Sequence, residues 1–219
     1  DSIISHLKEI FEDPISEDPP LVLLIGGFSD STFIQERLKA AFPTKKFVVP
    51  MDAGLAVLKG SVMFGFQPEV IRTIEIKRTY GISCQKPFIP GIHPVNKRTV
   101  IDGNVLCSKC FLKFVTVGDK LEVGYKREHS FINTFHSNER KKITVKCHIY
   151  ASENPDPSYI DDMDCKKLGT LVICPPQRGW SPKMVGRVVM KFRTTKFQVK
   201  VYDETNKRVF YLSFNLLEE

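Results

Sequence analysis

The fold is decided by one stretch, Leu21-Val-Leu-Leu-Ile-Gly-Gly-Phe-Ser-Asp-Ser-Thr-Phe33. Five aliphatic residues without alternation predict a strand that is covered on both faces, as in a parallel sheet flanked by helices. Gly26 and Gly27 then allow a sharp turn and leave backbone N–H groups open to a ligand. A serine or aspartate at positions 29–31 can cap the helix that follows, so its first turn would face the crevice beyond the strand. The pattern indicates either a nucleotide-binding turn or an ordinary tight turn.

The segments around this stretch give residues 1–73 the composition of an α/β layer. Their order is helix, strand, helix, strand, helix, and small residues in the last helix would let it lie close on the sheet. Asp52 stands where it can cap that helix. Two strands cannot shield a parallel sheet, so we expect further strands N-terminal to Asp1 and interpret the chain as part of a longer protein. The predicted elements are a helix over residues 3–11, a strand over 21–25, a helix over 32–42, a strand over 46–50 and a helix over 52–65.

From about Ile74 the hydrophobic pattern changes to a period of two, which is typical of half-buried strands. Turn residues such as Gly118-Asp119 and Asp203-Glu-Thr-Asn206 separate the strand-like segments. Seven strands at this spacing predict an antiparallel β-sandwich over residues 74–219, and the fold class is therefore α+β. The predicted strands cover residues 74–82, 111–117, 143–150, 169–173, 187–192, 197–202 and 209–214.

The net charge of +7 comes from the second part of the chain. Residues 1–80 hold 9 Lys and Arg against 11 Asp and Glu, whereas residues 81–219 hold 23 against 14. A basic balance indicates either an anionic partner, such as nucleic acid, lipid or acidic protein, or the solvated face of a sheet. The charges alternate with apolar residues along the predicted strands, and no aromatic and basic platform for stacking bases is evident. We therefore interpret the basic residues as part of a solvated sheet face and not as a nucleic-acid binding site.

The six cysteines are interpreted as reduced, because the first residues do not resemble a secretory signal. This predicts a cytoplasmic protein. No apolar run approaches the roughly 20 residues of a membrane span, so no membrane insertion is expected. Cys107 and Cys110 have zinc-knuckle spacing, and Cys147 with His148 could add ligands. The alternative, buried free thiols with no metal site, is favoured because no second pair matches the first.

Three motifs in order resemble a known family. They are Leu24-Ile-Gly-Gly-Phe-Ser-Asp-Ser31, Val49-Pro-Met-Asp-Ala-Gly-Leu-Ala-Val-Leu-Lys-Gly-Ser-Val-Met-Phe-Gly65 and Arg78-Thr-Tyr-Gly-Ile82. Together they are similar to the carboxyl-terminal part of the divergent heat shock 70 kDa protein 12 family. That family is an offshoot of the seventy-kilodalton chaperones within the actin-like ATPase superfamily. The resemblance covers the whole chain.

The resemblance implies that residues 1–73 are the last piece of an actin-like nucleotide-binding domain. Phe28 and Ser29 could contact the nucleotide, or Phe28 could pack in the core and Ser29 could cap a helix. For Asp52, helix capping is favoured over binding the ribose. The phosphate-binding hairpins and the metal-coordinating aspartate of such ATPases would lie upstream, so Mg²⁺ would bind only with that part. The chain alone should not hydrolyse ATP, and no catalytic residue is assigned. The implied contacts to ATP or ADP are Gly26, Gly27, Phe28, Ser29 and Asp52.

One departure from the family pattern bears on nucleotide affinity. The chaperones have Ser-Thr-Arg after the two glycines, where the arginine packs against adenine, and this chain has Phe28-Ser29-Asp30. A carboxylate cannot replace a stacking guanidinium, so weak or absent nucleotide binding is expected for this chain.

The resemblance also implies that residues 74–219 correspond to the chaperones' substrate-binding β domain, whose partners are protein or peptide segments. Phe131, Phe135 and Val145 would then lie near the cleft, although the alternation from Phe131 to Phe135 is equally typical of a core strand. A chaperone-like ATP-binding protein is therefore the leading hypothesis. The alternative is a non-catalytic interaction module in which the nucleotide-binding remnant is only scaffold, and Asp30 favours it.

Overall fold

The computed structural model describes residues 2–12 and 19–216. The chain divides into two compact units between Val70 and Ile71. The whole is an α+β protein in which most of the sheet is antiparallel. None of the described helices is long and apolar enough to cross a membrane.

The first unit alternates helices with two short parallel strands. Strand β1 pairs with β2 so that Leu21 lies opposite Lys46 and Leu23 opposite Val48. The predicted helix and strand order is therefore observed. The elements are α1 (Ser2–Glu12), β1 (Leu21–Leu23), α2 (Thr32–Ala41), β2 (Lys46–Val48) and α3 (Ala56–Phe66).

Within the described part of the chain, β1 is not covered on both faces. Leu21 is 47% exposed and Leu23 58% exposed, because a sheet of two strands is too small to bury both of its faces. The expected close packing of α3 on the sheet is not observed either, since no residue of α3 is buried.

The second unit contains two antiparallel sheets that share one core, as in a β-sandwich. The first sheet has the strand order β10-β9-β4-β6-β5, and the second has the order β13-β12-β11-β8. A separate small pair joins β3 to β7. The strands are β3 (Thr73–Glu75), β4 (Thr79–Pro87), β5 (Arg98–Ile101), β6 (Asn104–Val115), β7 (Lys120–Glu122), β8 (Lys126–Thr134), β9 (Val145–Ser152), β10 (Cys165–Ile173), β11 (Lys183–Phe192), β12 (Lys196–Asp203) and β13 (Arg208–Asn215).

The core lies between the two sheets and consists of apolar side chains from alternate positions of their strands. Ile149 of the first sheet and Phe192 and Phe197 of the second are fully buried. Phe197 also stacks on Phe192 with ring centroids 5.4 Å apart. The period-two pattern located β9 to β13 and the second half of β6. The single strand predicted over residues 74–82 is two strands, β3 and β4, which belong to different sheets. The pattern missed β5, β7, β8 and the first half of β6.

Candidate functional site

The turn after β1 and the turn after β2 lie side by side at the carboxyl ends of the two parallel strands. The Gly26 N–H donates to the Ala53 carbonyl over 2.9 Å. A Cβ added to Gly54 would lie 3.5 Å from Oδ2 of Asp30. This is the edge of an open α/β sheet where ligands bind. The sequence predicted the turn after β1 but not its direct bond to the turn after β2.

The two glycines of the first turn differ in what they require. Gly26 has φ +93°, a left-handed conformation that favours glycine. Gly27 is exposed, has no such requirement, and a Cβ placed there would meet no atom within 4 Å. Phe28 is 80% exposed next to it. Open backbone and an exposed aromatic ring are therefore available to a ligand at this turn.

Ser29 and Asp52 are placed differently from their predicted capping roles. Ser29 is 6% exposed, and its hydroxyl donates to the Gly26 carbonyl over 2.5 Å within the turn. The helix begins after Ser31, which makes no side-chain capping bond. Asp52 precedes a short 3₁₀ turn and likewise makes no capping bond, because its carboxylate pairs with Lys59. The prediction of side-chain caps at positions 29–31 and at Asp52 is therefore wrong.

A second candidate site lies at one end of the two-sheet unit. An inner cavity of about 350 Å³ extends between the sheets, and an outer groove of about 270 Å³ lies beside it. Both have lining residues from the first sheet, from the end of β8 and from the start of β9. The two share five lining residues, so they are contiguous: Gln85, Leu106, Ile132, Asn133 and Val145.

The three residues predicted for segment binding all line these spaces. Phe131 lines the inner cavity, Phe135 lines the outer groove and Val145 lines both. Phe135 is only 2% exposed and stacks on Trp180 with centroids 5.4 Å apart. Phe135 therefore serves mainly as core, whereas Phe131 and Val145 are half-buried.

An ion pair spans the outer groove, and sequence reasoning missed it. Nη1 of Arg140 lies 2.7 Å from Oδ2 of Asp102. Asp102 and Gly103 form the two-residue turn between β5 and β6, both with positive φ, which matches the favoured hairpin turn. Arg140 begins a 3₁₀ turn between β8 and β9. The Asp-Gly dipeptide could have located the first turn, but nothing local in the sequence links it to position 140.

The turn at residues 140–142 is not the tip of a hairpin, because the strands it connects, β8 and β9, belong to different sheets. The turn is instead held by Trp180, which is 2% exposed. The Trp180 backbone N–H donates to the Lys141 carbonyl over 2.8 Å, and its indole Nε1 donates to the Ile143 carbonyl over 2.7 Å. Trp180 is therefore part of the core and not an exposed contact residue.

His129 lines the inner cavity on the face of β8 opposite to that of Ser130. Its ring is edge-on to Phe114, 4.8 Å between centroids, and its buried Nε2 has no hydrogen-bond partner among the described residues. Neighbouring His129 and Ser130 therefore do not form a hydrolytic pair.

Two buried thiols of the second unit, those of Cys110 and Cys147, are not suited to act as nucleophiles. Burial raises the pKa of Cys147 to about 12, and burial with the neighbouring Cys107 raises the pKa of Cys110 to about 12. These thiols therefore stay protonated near neutral pH. Nδ1 of His148 lies 2.8 Å from Oγ1 of Thr170. In the part of the chain that the structure describes, no three His, Cys, Asp or Glu side chains are grouped to hold a metal.

Comparison with known proteins places the chain in a class. Heat shock 70 kDa protein 12A of Mus musculus is 30% identical over 221 residues, which cover 99% of this chain and 32% of the relative. The human protein of the same name is 34% identical over 172 residues, covering 78% and 25% respectively. Human heat shock 70 kDa protein 12B is 29% identical over 225 residues, covering 98% and 32%. The chain is thus a relative of the seventy-kilodalton heat-shock proteins.

Within that class, the chain belongs to the heat shock 70 kDa protein 12 family. It spans about a third of the length of the curated relatives that it matches. No family model matches the chain.

Proposed function

We propose that this chain contributes a segment-binding β-sandwich and one edge of an ATP or ADP pocket to a chaperone-like protein. The observation that carries the proposal is the placement of Phe131 and Val145 in one continuous space that runs from the outer groove to the inner cavity. The inner cavity is lined mainly by apolar side chains and the outer groove by both polar and apolar ones, which suits an extended protein segment whose apolar side chains enter between the sheets.

Groove binding can be tested by narrowing the space at Val145. Val145→Phe should weaken binding of a fluorescent apolar peptide about tenfold or more, because the larger ring takes the volume that the peptide side chain needs. Fluorescence anisotropy on the 219-residue chain measures this. Val209→Phe is the matched control, because Val209 is exposed on β13 and lines neither space. Equal affinity of both variants would contradict the proposal.

For the nucleotide, the proposal rests on the exposed backbone of Gly27 and on Gly26, whose N–H bond to the Ala53 carbonyl holds this turn beside the turn after β2. Phe28 would contact the ligand, while Ser29 and Asp52 would shape the turn. The fold's other nucleotide contacts and its Mg²⁺ ligands would come from outside this chain. In an intact relative, we expect nucleotide binding to change segment binding by the sandwich, which would couple the two sites.

Gly27→Val is the cleanest test of the nucleotide proposal, because the turn accepts a side chain there without strain. In a longer protein that contains this chain, we expect the variant to lose ATP binding by calorimetry while keeping its melting temperature. The 219-residue chain itself should bind ATP weakly or not at all. Equal ATP affinity of the chain and the longer protein would contradict the idea of a partial pocket.

A second candidate function is an interaction module in which the turn after β1 is scaffold only. The observation that favours it is Asp30, whose carboxylate lies against the turn after β2 where an anionic nucleotide would approach. Under this alternative, ATP does not change partner binding by the longer protein. The Gly27→Val variant should then bind the partner as the unaltered protein does, with or without ATP.

A further inference from the structure

Four basic residues lie close together in the chain, in the turn between β8 and β9 and at the start of β9, and we call them the basic rim: Arg140, Lys141, Lys142 and Lys146. Arg140 lines the outer groove and Lys146 lines the inner cavity. Residues 139–146 contain these four cations and a single carboxylate, Glu139. The charge at this end of the sandwich therefore favours anionic groups.

The rim is held in place before any ligand arrives. Trp180 is buried and donates one hydrogen bond to the Lys141 carbonyl and another to the Ile143 carbonyl. Lys141 also packs closely on Gly179, where a Cβ would lie 3.0 Å from the Lys141 carbonyl oxygen. A fixed backbone reduces the entropy that ordering the turn would otherwise cost on binding.

Only one of the rim cations is neutralised among the described residues. Arg140 pairs with Asp102, whereas Lys141, Lys142 and Lys146 form no salt bridge within residues 2–12 and 19–216. The Arg140 guanidinium has five N–H donors, and one nitrogen, Nη1, makes the bond to Asp102. A second carboxylate can therefore bind Arg140 in the outer groove without displacing Asp102.

We propose that the groove selects apolar segments flanked by Asp or Glu, with the apolar side chains entering the cavity and the carboxylates binding the basic rim. This inference rests on the proposed segment-binding function and names its substrate class. Contacts of this kind set specificity and association rate more than total affinity. They also weaken as salt screens the exposed charges.

The test compares three fluorescent peptides that share one apolar core and carry aspartate, serine or lysine flanks. For the 219-residue chain at low salt, the aspartate-flanked peptide should bind about tenfold more tightly than the serine-flanked one. The lysine-flanked peptide should bind most weakly. The preference should shrink toward unity at about 1 M salt, where screening extends only about 3 Å.

Charge-matched variants separate the rim from the overall positive charge. Lys142→Glu should reduce the aspartate preference several-fold. Lys196→Glu changes the net charge equally but lies at the start of β12, opposite Asn215, at the far end of the sheet. It should leave the preference unchanged within about twofold. Arg140→Gln is a second rim variant, to be used if Lys142→Glu fails to fold.

Three outcomes would overturn the inference. If all three peptides bind with equal affinity, or the lysine-flanked peptide binds best, the substrate class is wrong and the segment-binding function stands. If Lys196→Glu reduces the preference as much as Lys142→Glu does, the rim is not the cause. If none of the peptides binds, both the inference and the proposed function fail.

Discussion

Gly81→Ala should destabilise the second unit by about 3 kcal/mol, the upper part of the range for overpacking a folded core. An added Cβ would lie 2.2 Å from Cε1 of Phe111 and 2.5 Å from the carbonyl oxygen of Leu112. The carbonyl cannot move away freely, because β4 and β6 are paired in this region, with Gly81 opposite Lys113. The glycine of the Arg78–Ile82 motif is thus explained by close approach of two strands.

Urea unfolding followed by tryptophan fluorescence measures this cost, since Trp180 is the only tryptophan and is buried in the second unit. Gly169→Ala serves as a graded control. The atoms nearest to its Cβ would be side-chain atoms of Phe214 and Leu212, at 3.1 and 3.2 Å. We expect a smaller loss there, because these side chains can shift. A neutral Gly81→Ala, or a Gly169→Ala that costs more, would contradict the packing described.

Asp203→Ala should cost about 3 kcal/mol, because it removes a buried carboxylate and leaves its hydrogen-bond partners unsatisfied, including the partly exposed Arg208. Asp203 is fully buried and accepts hydrogen bonds from Nη2 of Arg208 over 2.8 Å and from the Asn206 backbone N–H over 3.1 Å. These bonds hold the hairpin between β12 and β13. Arg208 also lies over the Trp180 ring, 5.1 Å from its centroid.

The same tryptophan-monitored unfolding measures the loss at Asp203, and Glu75→Gln is the control. Glu75 pairs with Lys77 at the surface, and this contact lowers the pKa of its carboxyl group. An exposed pair of this kind contributes little to stability. If Asp203→Ala unfolds at the same urea concentration as the unaltered chain, the buried pair does not hold the hairpin.

Much of the fold could be predicted because its signals are local. Period-two alternation located β9 to β13, and the Gly-Gly turn after five aliphatic residues located the end of β1. Strand β8 was missed because it begins with Lys126-Arg-Glu128 and lies at a sheet edge, so its alternation appears only from His129. An edge strand is exposed along one side and has a weaker hydrophobic pattern than a central strand.

The site was harder to predict because its parts are distant in sequence. Phe131 and Val145 were found through resemblance, and alternation alone could not distinguish a groove residue from a core residue such as Phe135. The Asp102–Arg140 pair depends on two turns that meet only when both sheets are assembled. Asp52 looked like a helix cap, but Lys59 seven residues later competes for its carboxylate. Short-range rules cannot weigh such partners.

Hydrogen exchange of the 219-residue chain, with and without a saturating apolar peptide flanked by aspartates, tests the central claim most directly. Peptide binding should slow exchange of backbone amides at residues 131–135 and 143–147, which line the outer groove or the inner cavity. Exchange should be unaffected at residues 208–215 on β13, which is the edge of the second sheet opposite to β8. If the peptide binds but slows exchange only on β13 or in the first unit, the outer groove and the inner cavity are not the binding site.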